Sequence, residues 1–355
     1  AARVLESCTS SSDMVARIEG SLDALVRSDG GNQYRSPAMQ LILMNELRDL
    51  IDFHRASRIQ VPSFMDSTLE RMAPFMRMMI YNDGSIAHMN RSIELPDKLM
   101  SAFAERCLMG VKPLEGAYAT GFQRLSARRI TLLADCGTMP PAGFDTWSHA
   151  GTLSFELTVG TQKMFCNVGS HERLSQWGEV QRTTAAHSTM VLQDTNSSEI
   201  KPDGTLGRQP VSVFSKTEES DDFVGLVMHH DGYRGLGKSK HMRSLRLSRD
   251  GDYLEGEDVV MGSAEVPAAI RFHLHPSVKA TLDRESGRVL VKLPKGRPWT
   301  FLVDGATIGI EQSVYLSGEN AVPSQQIVLH LPDTRTADMR HNPFERRVFW
   351  SIEQG

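Results

Sequence analysis

The hydrophobic pattern of the chain changes its period once, near residue 110. Before that point apolar residues recur every three or four positions, as at Met14, Ile18, Leu22 and Leu25, which is typical of an amphipathic helix. After it apolar and polar residues alternate, as in Leu153–Val159, which is typical of a strand with one buried face. The pattern therefore predicts a helical region followed by antiparallel sheets, rather than repeated βαβ units.

Turn signals divide both regions into elements. Asp29-Gly30-Gly31 and Asn82-Asp83-Gly84 separate predicted helices, and Arg249-Asp250-Gly251-Asp252 is typical of a hairpin turn between two strands. Four helices are predicted before residue 110, and short strands punctuated by Gly, Asp and Pro follow. We therefore expect an α+β multidomain chain, with a helical domain at residues 1–112 and a large antiparallel β-sandwich at residues 113–355.

Composition excludes several classes of function. The chain has 355 residues with 39 Lys+Arg against 43 Asp+Glu, and this net charge of −4 argues against a nucleic-acid surface. No apolar run approaches the roughly 20 residues of a transmembrane helix. The sequence contains no Walker loop, no dinucleotide-binding glycine motif and no G-x-S-x-G elbow, so nucleotide-driven and α/β-hydrolase chemistry are disfavoured.

One polar cluster, Asp29–Pro37, lies between the first two predicted helices. Its adjacent glycines let the backbone approach a ligand, and Asn32 and Arg35 could both face a carboxylate. An ordinary helix–helix loop explains the same residues and is favoured by spacing alone.

A second cluster places His149, Asn167 and His187 on or beside predicted strands, close after Trp147. Two imidazoles with a polar third member can bind zinc. A histidine at a strand end is, however, more often hydrogen-bonded than metal-bound. Both interpretations stay open at this point.

A third cluster contains Tyr233, His241 and Arg243. It is interpreted either as a polar layer inside the sandwich or as part of a substrate-binding cleft.

The combination and order of several motifs resemble the heparinase II/III family of polysaccharide lyases. That resemblance implies an incomplete α/α toroid followed by an antiparallel β-sandwich, with the active cleft between them. Four helices are too few for the toroid, so the chain is expected to correspond to a member without its N-terminal portion. The motifs are Asp29–Pro37, His149–Leu157, Asn167–Gly169, Arg182–Thr189, His230–Tyr233, His241–Arg243 and Arg271–Pro276.

The family resemblance implies a carbon–oxygen lyase that cleaves an acidic polysaccharide, such as a glycosaminoglycan, by β-elimination at a uronic acid. The uronate carboxylate must be neutralised, a base must remove the α-proton, and an acid must protonate the leaving oxygen. The resemblance assigns neutralisation to Asn32 with Arg35 as its partner, and places the catalytic tyrosine near Tyr81 or His88. It favours a periplasmic location.

Two positions depart from the family pattern. Trp147 stands where better-characterised lyases carry a catalytic histidine, so we expect it to bind substrate together with Tyr233, His241 and Arg243. His149 and His187 match the histidines of a His–Asp–His zinc site, but Asn167 replaces the carboxylate and is a weaker ligand. Bound zinc and a metal-free site are therefore both expectations.

Two further functions stay open. The first is a non-catalytic carbohydrate-binding or cell-envelope assembly protein that retains the lyase fold, which the departures from the family pattern favour. The second, ranked last, is a hydrolase that uses Asp145 and Glu156 as a carboxylate pair.

Overall fold

Four helices occupy the chain between residues 11 and 107, as the apolar periodicity predicts. The computed structural model describes residues 11–171, 175–262, 266–331 and 345–355. Helix α2 begins where Ser36 caps it by accepting a hydrogen bond from the Met39 amide, with Pro37 in its first turn. The helices are α1 (Ser11–Leu25), α2 (Pro37–Ala56), α3 (Ser63–Met78) and α4 (Asp97–Cys107).

The helices share a small apolar core. Met44 and Ile51 of α2 pack with Met65 and Met72 of α3, and all four side chains are fully buried. On another side of α2 the Phe53 side chain is 61% exposed. Among the described residues no helix combines the length and apolar character needed to span a bilayer.

Two antiparallel sheets form the rest of the described chain, so the α+β fold class is confirmed. The first sheet has the order β1-β2-β3-β4-β5-β12-β17-β16-β6, with β7 paired to β12, and the second has the order β13-β14-β15-β18-β11-β10-β9-β8. The only parallel pair in the described sheets joins β16 to β6. The elements are β1 (Gly116–Ala117), β2 (Phe122–Ala127), β3 (Ile130–Asp135), β4 (Phe155–Val159), β5 (Gln162–Cys166), β6 (Gly169–His171), the short helix α5 (Ser175–Gly178), β7 (Met190–Leu192), β8 (Val213–Glu219), β9 (Phe223–His230), β10 (Lys240–Ser248), β11 (Tyr253–Met261), β12 (Ala268–Leu274), β13 (Lys279–Asp283), β14 (Arg288–Lys292), β15 (Trp299–Asp304), β16 (Thr307–Gly318), β17 (Asn320–Leu331) and β18 (Glu345–Gln354).

The predicted hairpin turn joins β10 to β11, and Gly251 in it has a φ of 68°, which favours glycine. Between the sheets, aromatic rings form the centre of the core. The Phe155 and Trp350 rings stack with centroids 5.9 Å apart, and Trp350 also stacks on Phe301 at 5.9 Å. The sheets therefore pack face to face, as in a sandwich.

A polar layer crosses this core around Asp258. The carboxylate accepts hydrogen bonds from Arg243 Nε at 2.7 Å and from Trp350 Nε1 at 2.9 Å, and it lies 2.6 Å from His241 Nε2. Burial alone would raise the pKa of Asp258, but the charge of Arg243 and the hydrogen bond with His241 hold it well below its usual range. The carboxylate is therefore charged and saturated.

The structure places Tyr233, His241 and Arg243, which were predicted to bind substrate, inside the sandwich. Their exposed fractions are 1%, 0% and 0%. Arg243 Nη1 donates to the carbonyls of Leu153 at 2.9 Å and Ser188 at 2.8 Å, and the Tyr233 hydroxyl donates to the Met190 carbonyl at 2.6 Å. In this structure their contacts are therefore with the sandwich core, as in the alternative interpretation of a polar layer.

Candidate functional site

A cavity of about 420 Å³ lies between the helical region and the sandwich. Its position is that of the cleft which the family resemblance implies. The walls are largely apolar and come from α2, from the segment before α4, and from the loops of the sandwich. The lining residues used below are Leu41, Ile42, Arg91, Ile93, Trp147 and His171.

Arg91 and Trp147 lie in contact with each other in the lining of this cleft. The guanidinium carbon lies 5.5 Å from the centroid of the indole ring, within cation–π range. Arg91 is exposed, and its guanidinium has no hydrogen-bond or ion-pair partner among the residues that the structure describes. Trp147 is half-buried and also packs on Tyr34, with ring centroids 6.2 Å apart. The cleft therefore presents a spare cation beside an aromatic face.

The turn that carries Arg91 is strained. Asn90 has a φ of 47° and Arg91 a φ of 63°, a region that costs a residue other than glycine about 1–3 kcal/mol. The side-chain amide of Asn90 holds this turn. Its Nδ2 donates to the Arg35 carbonyl at 2.8 Å, and its Oδ1 accepts from the backbone amide of His149 at 3.0 Å. Such strain persists where surrounding contacts over-determine the conformation, and it occurs frequently at functional sites.

His149 and His187 form a hydrogen-bonded chain behind Arg91. The Arg91 amide donates to His149 Nε2 at 3.1 Å, His149 Nδ1 lies 3.1 Å from His187 Nε2, and His187 Nδ1 lies 2.7 Å from the Thr183 carbonyl. Because a carbonyl only accepts, His187 Nδ1 is the donor there, and its Nε2 accepts from His149. Burial lowers the pKa of His187 to about 4 and that of His149 well below its usual range, so both rings are neutral.

The residues at the predicted zinc site do not fit the ion. Asn167 Oδ1 accepts from the Ser188 amide at 3.0 Å, and its Nδ2 donates to the His88 carbonyl at 3.3 Å. These partners fix the amide with its NH₂ group where a second carboxylate oxygen would lie, and an amide nitrogen is not a zinc ligand. Among the described residues there is also no group of three His, Cys, Asp or Glu side chains arranged to hold a metal.

Asn32 and Arg35 lie outside the cleft lining. Both hydrogens of Asn32 Nδ2 are used, one by the Ser36 carbonyl at 2.8 Å and one by Gln40 Oε1 at 2.9 Å. Arg35 is fully buried, forms an ion pair with Asp135, and donates through Nε to the Thr120 carbonyl at 2.7 Å. In this conformation both side chains are buried and brace the loop against the sandwich, although Arg35 Nη1 has no hydrogen-bond partner among the described residues.

Tyr81 and His88 meet at a buried carboxylate, that of Glu156. The Tyr81 hydroxyl donates to Glu156 Oε2 at 2.8 Å, and the His88 amide donates to the same oxygen at 3.0 Å. Burial and the neighbouring Glu156 raise the pKa of Tyr81, whereas burial lowers the pKa of His88 to about 3. These groups lie together but do not line the cleft. Asp145, the proposed partner of Glu156 in hydrolysis, is also buried and accepts from the Leu206 amide at 2.9 Å.

Sequence reasoning missed Arg91, although it lies only three residues after His88, near which the resemblance places a catalytic tyrosine. It also missed a charged cluster beside His88. Tyr315 donates to Glu94 at 2.5 Å, and Lys163 Nζ lies 2.7 Å from the same carboxylate. Burial would raise the pKa of Glu94, but the nearby charge of Lys163 lowers it to about 2. No local pattern links these three distant residues.

The fold and the cleft define a protein with a polysaccharide-lyase-like architecture. Residues 109–342 match the family described as Heparinase II/III-like, C-terminal. Because the match covers more than half of the chain, the chain belongs to the heparinase II/III-like family.

Two solved structures and one curated relative extend this match. The chain superposes on a heparinase III gene product with a TM-score of 0.76 at 16% identity, covering 97% of this chain and 55% of that one. It superposes on a mutant of the heparan sulfate lyase HepC from Pedobacter heparinus with a TM-score of 0.75 at 15% identity, covering 96% and 56%. FtsZ-localized protein C of Caulobacter vibrioides is 27% identical over 336 residues, covering 87% of this chain and 56% of the relative. The chain thus spans about half the length of these relatives.

Proposed function

We propose that this chain is an acidic-glycan-binding module that retains the lyase fold without its elimination chemistry. The observation that carries the proposal is the Arg91 guanidinium, which lies over Trp147 in the cleft and has no hydrogen-bond or ion-pair partner within the described part of the chain. A planar guanidinium matches a carboxylate through two parallel hydrogen bonds, and an indole face offers an apolar surface to the C–H face of a sugar ring.

The apolar walls of the cleft strengthen this binding. Leu41, Ile42 and Ile93 line the cavity beside Arg91. They lower the local dielectric constant, and an ion pair gains strength as that constant falls. The expected ligand is a uronic-acid-containing glycan.

Four features support binding over cleavage. The tyrosine and histidine assigned to proton transfer, Tyr81 and His88, lie behind the cleft in a buried network with Glu156. Asn32 Nδ2 has both hydrogens engaged and none left for a uronate carboxylate. The family resemblance places Trp147 where the better-characterised lyases carry a catalytic histidine. The curated relative is named FtsZ-localized protein C, a name that states a location and no cleavage activity.

One observation favours elimination as a second candidate function. His171 lines the same cavity as Arg91, and its backbone amide donates to Gln181 Oε1 at 2.7 Å. An imidazole in that position is a candidate base for the α-proton of a uronate bound to Arg91.

Calorimetric titration with an oligogalacturonate tests the proposal, and its methyl ester is a matched ligand without the charge. We expect the acid to bind, the ester to bind about tenfold more weakly, and Arg91→Ala to lose about tenfold in affinity for the acid only. Arg128→Ala serves as the control, because Arg128 is an exposed arginine paired with Asp250.

The same samples are monitored for the ultraviolet absorbance of an unsaturated product. Binding without absorbance supports the module, whereas absorbance that disappears in His171→Ala supports elimination. If the acid and the ester bind equally, or neither binds, the proposal is wrong.

A further inference from the structure

We infer that the His149–His187 pair is a metal-free positioning device that holds Arg91 at the cleft. Direct hydrogen bonds take the place of the zinc ion that the family resemblance implies. The consequence for glycan binding rests on the proposed function, whereas the metal-free state of the pair does not.

The four ring nitrogens of the pair are all engaged. His149 Nε2 accepts from the Arg91 amide, so the proton of this neutral ring lies on Nδ1, which donates to His187 Nε2 at 3.1 Å. His187 Nδ1 carries the second proton and donates to the Thr183 carbonyl at 2.7 Å. A metal ligand must offer a free lone pair, and neither ring has one.

The surroundings agree with this arrangement. Asn167 Oδ1 accepts from the Ser188 amide and its Nδ2 donates to the His88 carbonyl, so a neutral amide without negative charge occupies the position that the resemblance assigns to a carboxylate ligand. Gly151 leaves room for the imidazole, because a Cβ atom there would lie 2.6 Å from His187 Cδ2. The site is thus built for two neutral rings in contact.

His149 bonds twice to the strained turn at the cleft. Its ring accepts from the Arg91 amide at 3.1 Å, and its own amide donates to Asn90 Oδ1 at 3.0 Å. The sandwich therefore fixes the backbone that presents the Arg91 guanidinium to Trp147. His149 and His187 are positioning residues, since neither lines the cavity.

Nuclear magnetic resonance of protein with ¹⁵N-labelled histidine tests the metal-free state without any glycan. We expect His149 and His187 both to show a proton on Nδ1, with spectra unchanged by excess EDTA and by one equivalent of Zn²⁺. Stoichiometric zinc in purified protein, or loss of the His149 Nδ1 proton when zinc is added, would overturn the inference.

Matched substitutions of His149 then test positioning, with oligogalacturonate affinity as the readout. In His149→Gln the amide oxygen can still accept from Arg91, so affinity should stay within about twofold, whereas His149→Leu should lose about tenfold. Equal affinities for the two variants, each measured on folded protein, would overturn the positioning role. If His149→Leu does not fold, a loss of affinity in His149→Gln beyond about twofold would likewise overturn the positioning role. If the unmodified chain itself does not bind, the proposed function fails, while the spectra still test the histidine pair.

Discussion

The polar layer inside the sandwich and the cleft contain similar residue types, but the arginine of the layer is buried whereas the arginine of the cleft is exposed. In the layer, Arg243 and His241 bond to Asp258, and every one of these side chains is fully buried. In the cleft, Arg91 is exposed and its guanidinium has no partner within the described chain, so only the Trp147 ring lies beneath it. Exposure, more than residue type, separates a binding group from a structural one, because a fully buried group cannot reach a ligand even where one of its atoms, such as His241 Nδ1, has no partner among the described residues.

The largest effect is expected from breaking the buried layer. Asp258→Ala leaves Arg243 and His241 without their partner in the core and should lower the free energy of unfolding by about 3–5 kcal/mol, measured by urea denaturation. Glycan affinity per folded molecule should not change, since the layer does not line the cleft. A loss below about 1 kcal/mol would contradict the structural role of this layer.

The second-largest effect is expected from acid, which should lower the free energy of unfolding through the buried histidine His88. Burial lowers the pKa of His88 to about 3, so the folded state keeps the ring neutral while the unfolded chain protonates near pH 6.5. Its stabilising contribution is therefore complete above pH 6.5 and declines as the pH falls towards 3. At pH 5 the loss is about 2 kcal/mol.

The matched variant for this effect is His88→Gln, which does not titrate. Its drop in unfolding free energy between pH 7 and pH 5 should be smaller than that of the unmodified chain by about 2 kcal/mol. Denaturation curves at both pH values provide the measurement, and identical drops would show that His88 titrates normally.

A smaller effect is expected at the cleft. Trp147→Ala removes the ring under Arg91 and should weaken oligogalacturonate binding about fivefold, or ~1 kcal/mol. Trp147→Phe keeps an aromatic face and should retain most of the affinity. Calorimetry on both variants decides the role of the ring, and equal losses would assign it to packing against Tyr34.

The smallest effect is expected from an exposed ion pair. Arg128 Nη2 lies 2.8 Å from Asp250, with side chains 69% and 74% exposed. Asp250→Ala should change the unfolding free energy by less than about 0.5 kcal/mol, because exposed pairs are screened by water. It is the matched control for Asp258→Ala, and a loss of comparable size in both would remove the contrast between buried and exposed carboxylates.

The sequence by itself determined the fold class and the order of the two regions. Hydrophobic period and turn residues are local, so a window of ten to twenty residues carries the signal for each helix or hairpin, as at Pro37 and Gly251. The same patterns left Arg35 and Arg243 open between a structural and a functional role, because a charged residue beside glycines or on a strand looks alike in sequence whether it ends in solvent or in the core.

Only the tertiary structure decided which polar residues are accessible to a ligand. Arg35 meets Asp135 across 100 residues of sequence, Arg243 meets Ser188 across 55, and the Arg91 amide meets His149 across 58. Partners at such separations are brought together by packing of the helices on the sandwich or, for Arg243 and Ser188, by packing within the sandwich, and no local pattern encodes them. Burial of the first two groups and exposure of the Arg91 side chain are therefore properties of the folded chain, because burial and hydrogen bonding are settled together when the core closes.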